Sequence, residues 1–231
     1  MDAPECLIID TETNGRDGDE LEVIELGALA WPADWWPSVE RRFLPKHSVL
    51  PEAKAVHGIL DAELTWCPPS SEARLPEGVR YVIGHNVDYD ADALGLGPEI
   101  KRVCTYAISR RLWPELGSHK LGALMYSLLP EDMAKELVSG AHGAMADCLM
   151  VAELLAWITT EEDRLTPERC EELMTPEGLW QFSEECRTPT HMPFGKHKGE
   201  LLSAMPKDYV GWALRTCEDM DPYLRKALEK L

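Results

Sequence analysis

The sequence of 231 residues has no uninterrupted apolar run near the roughly 20 residues that a membrane-spanning helix needs. Its first residues, MDAPEC, lack the basic and then apolar pattern of a secretory signal peptide. None of its 7 cysteines belongs to a C-x-x-C pair, which argues against a structural zinc site, and most lie in apolar segments. These absences lead us to expect a soluble protein in the reducing cytoplasm.

Positive charge is also scarce, since 23 Lys and Arg stand against 41 Asp and Glu and give a net charge of −18. Such a balance normally argues against a nucleic-acid partner, because affinity for phosphates comes largely from Lys and Arg. The charge is unevenly distributed, however. Residues 187–231 carry eight Lys and Arg against six Asp and Glu, which is +2, and the preceding residues therefore carry −20.

The order of the predicted elements is typical of a mixed α/β protein. Apolar or alternating segments predict strands at 6–9, 22–31, 40–44 and 81–83, and helical spacing predicts helices at 51–56, 90–96, 105–112, 120–129 and 144–158. A chain of this length buries one good core with a small second module. We expect a main domain over 1–160, a helical linker over 161–186 and a small C-terminal module over 187–231.

Four carboxylates lie at the boundaries of these elements. In LIIDTETNG (7–15), Asp10 and Glu12 follow an apolar run, and on a continuing strand they share one face about 7 Å apart. Asp90 follows the strand at 81–83, and Asp147 lies on the first turns of the helix at 144–158. Hard oxygen ligands of this kind suit Mg²⁺ or Mn²⁺. Jointly they predict a metal site, although singly Asp10 is better explained as a strand-end cap and Asp147 as an ordinary helix residue.

His142 precedes Asp147 by five residues. On an ideal helix that separation is about 140°, so both side chains cannot point the same way from one helix. We therefore place His142 in the Gly-rich loop at 140–143, from which an imidazole can reach a water near the carboxylates. Taken alone, a histidine in such a loop is an ordinary surface residue.

Three motifs, DTETNG (10–15), HNVDYD (85–90) and HGAMAD (142–147), resemble in this order the exonuclease motifs of the DEDDh branch of the DEDD 3′-to-5′ exonucleases. The segments AVHG (55–58), RRLWP (110–114) and MPFGKHKG (192–199) also resemble stretches of a bacterial exodeoxyribonuclease of this branch. The resemblance implies a ribonuclease H-like mixed sheet flanked by helices, with 1–160 as the exonuclease domain and 187–231 as a small α+β module.

The resemblance also implies a chemistry. Asp10, Glu12, Asp90 and Asp147 match the four metal-binding acids, which hold two Mg²⁺ ions that Mn²⁺ can replace, and His142 matches the general base. These five residues are then the catalytic set. The implied reaction is hydrolysis of DNA from its 3′ end to nucleoside 5′-monophosphates by a two-metal mechanism. An imidazole suits the base because its ordinary pKa of about 6.5 leaves it able to accept a proton near neutral pH.

Substrate contacts are harder to assign. Thr11, His57 and Asn86 are candidate contacts to the terminal nucleotide, and each is explained equally well as a residue that satisfies local backbone groups. In the C-terminal module, Lys196 and Lys198 are candidate phosphate contacts.

Two aromatic residues follow these lysines in PKDYVGWALR (206–215). Tyr209 and Trp212 are three positions apart on one helix face, a spacing more typical of core packing than of a base-stacking platform. We therefore expect both side chains in the core of the module.

Two other functions stay open at this stage. A 3′-to-5′ exoribonuclease would carry the same motifs, because discrimination depends on contacts to the 2′-hydroxyl that no motif reveals. A catalytically silent nucleic-acid-binding adaptor is disfavoured, because such a protein has no need to keep all five site residues.

Overall fold

The computed structural model describes residues 4–32, 37–139, 143–217 and 220–231. The chain divides into two compact units, Met1–Ser183 and Glu184–Leu231. The helices of the segment predicted as a linker, up to Ser183, belong to the first unit. The predicted boundaries at 160 and 186 stay a prediction.

The described part of the first unit contains a five-stranded mixed sheet with the order β3-β2-β1-β4-β5. Its strands are β1 (Cys6–Thr13), β2 (Val23–Ala30), β3 (Val39–Arg42), β4 (Tyr81–Gly84) and β5 (Lys101–Cys104). The first three pair antiparallel through short connections, whereas β4 lies parallel to β1 and β5 parallel to β4. β1 is the central strand, which explains why its first four residues are apolar and fully buried.

Helices surround this sheet. They are α1 (Pro51–His57), α2 (Asp61–Leu64), α3 (Asp88–Ala93), α4 (Thr105–Leu112), α5 (Leu121–Leu128), α6 (Glu131–Val138), α7 (Ala144–Thr159), α8 (Pro167–Leu173) and α9 (Pro176–Arg187). The longest of them, α7, packs against β1 and β2. Its apolar sequence suits this position, since residues such as Cys148, Val151 and Leu155 are buried.

The sequence predictions locate most of these elements. The helices expected at 105–112 and 144–158 are confirmed almost to the residue as α4 and α7. The strand β5 and the helix α6 were not predicted. The helix predicted at 90–96 is α3, which begins two residues earlier at Asp88, so that Asp90 lies on its first turn. No helix in the described ranges combines the length and the apolar character of a membrane span.

The second unit contains the end of α9 and the helices α10 (Lys207–Thr216) and α11 (Pro222–Leu228). A β-bridge between His191 and Leu201 closes a hairpin-like loop before α10. Its core consists of buried residues from the loop and both helices, among them Met192, Leu202, Tyr209, Ala213 and Leu224. This unit therefore has a hydrophobic core of its own.

Candidate active site

The central strand β1 presents Asp10 and Glu12 on one face of the sheet. Both side chains are partly exposed, whereas Thr11 between them is buried. This alternation follows from the two-residue period of a strand. In the antiparallel register Asp10 pairs with Gly27 and Glu12 with Glu25 of β2. The prediction that Asp10 and Glu12 share one face of a strand is thus confirmed.

Asp90 reaches β1 from α3. Its Oδ1 accepts hydrogen bonds from the backbone N–H and the hydroxyl of Thr11, each at 2.8 Å. Both of these donors are buried, so the two bonds hold the Asp90 carboxylate against the strand between Asp10 and Glu12. Thr11 is predicted as a candidate substrate contact. In the structure its hydroxyl and its backbone N–H both donate to Asp90.

Asp147 is the fourth residue of α7. The N-terminus of this helix approaches β2 at Gly27, where an added Cβ would lie 2.5 Å from the Ala144 carbonyl oxygen. A residue with a side chain at this position would push the helix away from the strand. Glycine at position 27 therefore permits the close approach of α7 to β2. Because Gly27 pairs with Asp10 of β1, this approach brings Asp147 towards Asp10.

The acids perturb each other electrostatically. Burial first, and then the charges of Asp90, Asp147, Glu12 and Glu25, raise the pKa of Asp10 well above its usual range. Burial and the neighbouring charges of Asp147, Glu25 and Asp90 raise the pKa of Glu12 to about 8. Burial raises the pKa of Asp90 to about 6 although the two Thr11 bonds oppose the shift. Four segments of the chain thus converge on one acidic site.

The donor set suits a divalent cation. No described Lys, Arg or His forms an ion pair with Asp10, Glu12 or Asp90, so their repulsion is not relieved by a protein cation. An ion with a preference for carboxylate oxygens would relieve it. In the ranges that the structure describes, no three His, Cys, Asp or Glu side chains are already arranged as a metal cage. The conclusion that these residues suit a divalent cation therefore depends on the oxygen ligands and the negative charge of the acids.

Glu25 is a further acid at this site that the sequence reasoning missed. It is 2% exposed, its Oε2 accepts the Ala144 N–H at 3.0 Å, and its Oε1 accepts from Arg42 Nε at 2.7 Å. Glu25 therefore ties the first turn of α7 to β2. The available signal was a single acid within the otherwise apolar strand VIELGALA, since a buried carboxylate requires partners.

We expect Glu25→Gln to lower the free energy of unfolding by about 1–3 kcal/mol. A glutamine has only one acceptor oxygen, so its NH₂ group would point at a second donor, either Arg42 or the Ala144 N–H, and that hydrogen bond would be lost. The matched control is Glu63→Gln. Glu63 also accepts from Arg42, at 2.9 Å, but it contacts no residue of α7 in the described hydrogen bonds. Urea denaturation of both variants measures the difference, and equal stability of the two would refute the anchoring role of Glu25.

The other predicted residues lie in varied surroundings. His57 ends α1, where its Nδ1 accepts the Ile59 N–H at 3.0 Å. Burial lowers the pKa of His57, and the nearby Thr13 backbone and the charge of Glu25 oppose this shift. The imidazole therefore lies close to the acidic site. Asn86 is exposed with φ 75°, a left-handed turn residue before α3. His142 lies outside the described residues, and Lys196 and Lys198 belong to the second unit.

The mixed sheet with its flanking helices defines the class of DEDD-type exonucleases with a ribonuclease H-like fold, as predicted. Residues 7–155, more than half of the chain, match the family model described as Exonuclease (RNase_T), and the chain belongs to this family of divalent-metal-dependent 3′-to-5′ exonucleases. Residues 186–217 match a second model, described as a putative quorum-sensing-regulated virulence factor.

Individual relatives agree with this family. DNA polymerase III subunit epsilon of Aquifex aeolicus is 26% identical over 172 residues, which cover 67% of this chain and 80% of the relative. Exonuclease X, solved in complex with 5′ overhanging duplex DNA, is 25% identical with a TM-score of 0.55, and the match covers 74% of this chain and 99% of that one. The predicted likeness to a bacterial exodeoxyribonuclease is thereby confirmed.

A more distant structure supports the fold alone. Exonuclease I of E. coli, in complex with a dT13 oligonucleotide, is 17% identical with a TM-score of 0.57. The match covers 72% of this chain and 43% of exonuclease I, so this chain spans less than half of that enzyme.

Proposed function

We propose that this protein removes nucleotides one at a time from the 3′ end of DNA and releases nucleoside 5′-monophosphates, with two Mg²⁺ ions at the acidic site. The observation that carries the proposal is the convergence of Asp10, Glu12, Asp90 and Asp147, where burial and then the neighbouring charges raise the pKa of the central Asp10. The relatives solved with DNA, exonuclease X and exonuclease I, support DNA as the substrate.

Each acid has a role in this proposal. Asp10, at the centre of the group, would hold the ions together with Glu12, Asp90 and Asp147. When bound, the ions supply Lewis-acid stabilisation of the negative charge on the attacking and leaving oxygens. Thr11 serves as a positioning residue, because it fixes the orientation of the Asp90 carboxylate by two hydrogen bonds.

Two histidines complete the proposed machinery. His142 accepts the proton of the attacking water, a role taken from its motif because the structure does not describe it. His57, next to the Thr13 backbone, contacts the terminal nucleotide, and its lowered pKa keeps the ring neutral in the physiological range. Its Nε2–H is then available as a donor, because Nδ1 accepts from Ile59.

A substrate panel tests the choice of nucleic acid. Single-stranded DNA, duplex DNA and RNA of the same sequence, each labelled at the 5′ end, are incubated with Mg²⁺ and with EDTA. We expect metal-dependent shortening of the DNA strands from the 3′ end and slower shortening of RNA. Faster degradation of RNA than of DNA would refute the proposed substrate and indicate a 3′-to-5′ exoribonuclease.

Metal binding should also stabilise the protein in a pH-dependent way. The pKa values of Asp10, Glu12 and Asp90 are raised above the ordinary value near 4, so the folded state retains protons that the unfolded chain releases. The metal-free protein therefore loses stability as the pH rises from about 4 to about 8. Mg²⁺ requires the deprotonated acids, so its stabilising effect should grow over the same range.

Thermal denaturation with EDTA and with Mg²⁺ measures this effect. At a Mg²⁺ concentration of about 100 times Kd, binding contributes about 2.7 kcal/mol, which raises Tm by about 5–10 °C for a protein of this size. The increase should be largest at about pH 8 and small at about pH 5. An increase that is the same at both pH values would show that Mg²⁺ does not bind these acids.

A further inference from the structure

The second unit has a hydrophobic core, but the side chain of Trp212 lies at its surface. Tyr209 packs into that core and is 8% exposed, whereas Trp212, one turn further along α10, is 45% exposed. The expectation that both rings are core residues is therefore wrong for Trp212. The two ring centroids are 5.3 Å apart with a tilt of 32°, so the buried Tyr209 supports the exposed indole from behind.

A cationic side chain, Lys196, lies beside the Tyr209 ring. The loop before α10 turns at Gly195 and Gly199, with φ of 71° and 84°, and these glycines frame the exposed Lys196 and Lys198. Lys196 Nζ lies 5.3 Å from the centroid of the Tyr209 ring. An added Cβ at Gly195 would lie 2.5 Å from the Tyr209 hydroxyl oxygen. The glycine thus lets the turn sit directly on Tyr209, next to Trp212.

A third cation lies on α10 itself. An added Cβ at Gly211 would lie 3.1 Å from Arg215 Nη1, so the guanidinium folds back over the glycine that precedes Trp212. In the described structure, Lys196, Lys198 and Arg215 form no ion pair, and the nearby Glu200 is bound by His197 at 3.0 Å. The unit therefore combines an exposed indole with Lys196 beside Tyr209, Lys198 in the same turn, and Arg215 folded back on α10.

We propose that this face of the second unit, formed by Lys196, Lys198, Trp212 and Arg215, binds a segment of single-stranded nucleic acid. One base stacks on Trp212, and the three cations contact the adjoining phosphates. The occupant is argued from charge, because residues 187–231, which carry these cations, have a net charge of +2 whereas the preceding residues together carry −20. The inference rests on the proposed function, which makes a DNA strand the substrate, and adds a second contact to it.

Fluorescence anisotropy with a 5′-labelled oligothymidylate of about 20 nucleotides tests the site on the full chain in EDTA, where no cleavage occurs. We expect Trp212→Ala to weaken binding about tenfold and Trp212→Phe to retain part of the affinity, since a phenyl ring still stacks. The matched control is Trp66→Ala. Trp66 lies in the first unit, is 96% exposed, and should be replaceable without a change in affinity.

The lysines are tested by salt. Lys196→Ala/Lys198→Ala should reduce the slope of log affinity against log salt by about 0.7 for each lost phosphate contact. Lys226→Ala/Lys230→Ala removes one exposed lysine of α11 and one that follows this helix, and should leave the slope unchanged. This control separates local contacts from the loss of net charge, because both double variants lose the same charge.

The two proposals fail in different ways. If the wild-type protein binds the oligonucleotide but Trp212→Ala and Lys196→Ala/Lys198→Ala bind as tightly with the same slope, the second site is refuted while the active site is untouched. Undetectable binding by the wild-type protein also refutes it. If binding depends on Trp212 but no nucleic acid is cleaved with Mg²⁺, the proposed enzymatic function fails and the second site stands.

Discussion

Asp10→Ala should lower the rate of DNA hydrolysis by about 10³-fold or more, because loss of the central acid would weaken binding of the proposed metal ions, whose charge stabilisation is worth several kcal/mol. The same change should leave the metal-free fold as stable as before or more stable. It removes a largely buried carboxylate whose pKa is raised by burial and by Asp90, Asp147 and Glu12, and which therefore opposes folding when ionised. Single-turnover kinetics at saturating Mg²⁺ and thermal denaturation in EDTA measure the two effects.

The control for this variant is Asp17→Ala, which removes an exposed acid from the loop that follows β1. It should change neither the rate nor the stability by much, since surface substitutions usually lie within about 0.5 kcal/mol. A folded Asp10→Ala protein that cleaves DNA within a few-fold of the wild-type rate would show that Asp10 is not a metal ligand.

His142→Ala should lower turnover by about 10²–10⁴-fold with little change in KM, because a general base acts on the proton of the attacking water and not on binding. The wild-type rate should fall on the acid side with an apparent pKa of about 6–7. A metal-bound water and the acids also titrate, so the profile of the wild-type enzyme alone does not identify the base.

The comparison of pH profiles decides the role of His142. Loss of the acid limb in the His142→Ala protein, together with a large loss of rate, supports His142 as the general base. His47→Ala serves as the control, since it removes a half-exposed imidazole of the same unit that binds Glu22. An acid limb that is unchanged in His142→Ala, with little loss of rate, would contradict the assignment.

Local sequence patterns predicted much of the first unit. The apolar run before Asp10 specifies a central strand, and the strand period then places Asp10 and Glu12 on one face. The long apolar segment at 144–158 specifies a buried helix with Asp147 on its first turn. These features depend on residues close together in the sequence, which is why they could be recognised there.

Features that depend on distant residues could not be predicted in this way. Thr11 was a candidate substrate contact, yet its hydroxyl donates to Asp90, 79 residues later in the chain. The bond from the Ala144 N–H to Glu25 spans 119 residues. Strand β5, with the sequence KRVC, has too few apolar residues to stand out, and it forms because β4 offers it a parallel edge.

The aromatic pair of α10 shows a limit of a different kind. Helical spacing placed Tyr209 and Trp212 on one face, and one of the two is indeed in the core. Spacing alone does not define where that core ends. On this face of α10 the core includes Tyr209, whereas Trp212 next to it remains at the surface.

The most direct test of the account follows one strand of DNA during the reaction. A single strand labelled at its 5′ end is incubated with the wild-type protein and Mg²⁺, and the products are separated by length over time. We predict a ladder that shortens stepwise from the 3′ end, with nucleoside 5′-monophosphates as the released product, and no reaction in EDTA. Immediate release of a labelled mononucleotide, or shortening that continues in EDTA, would contradict it.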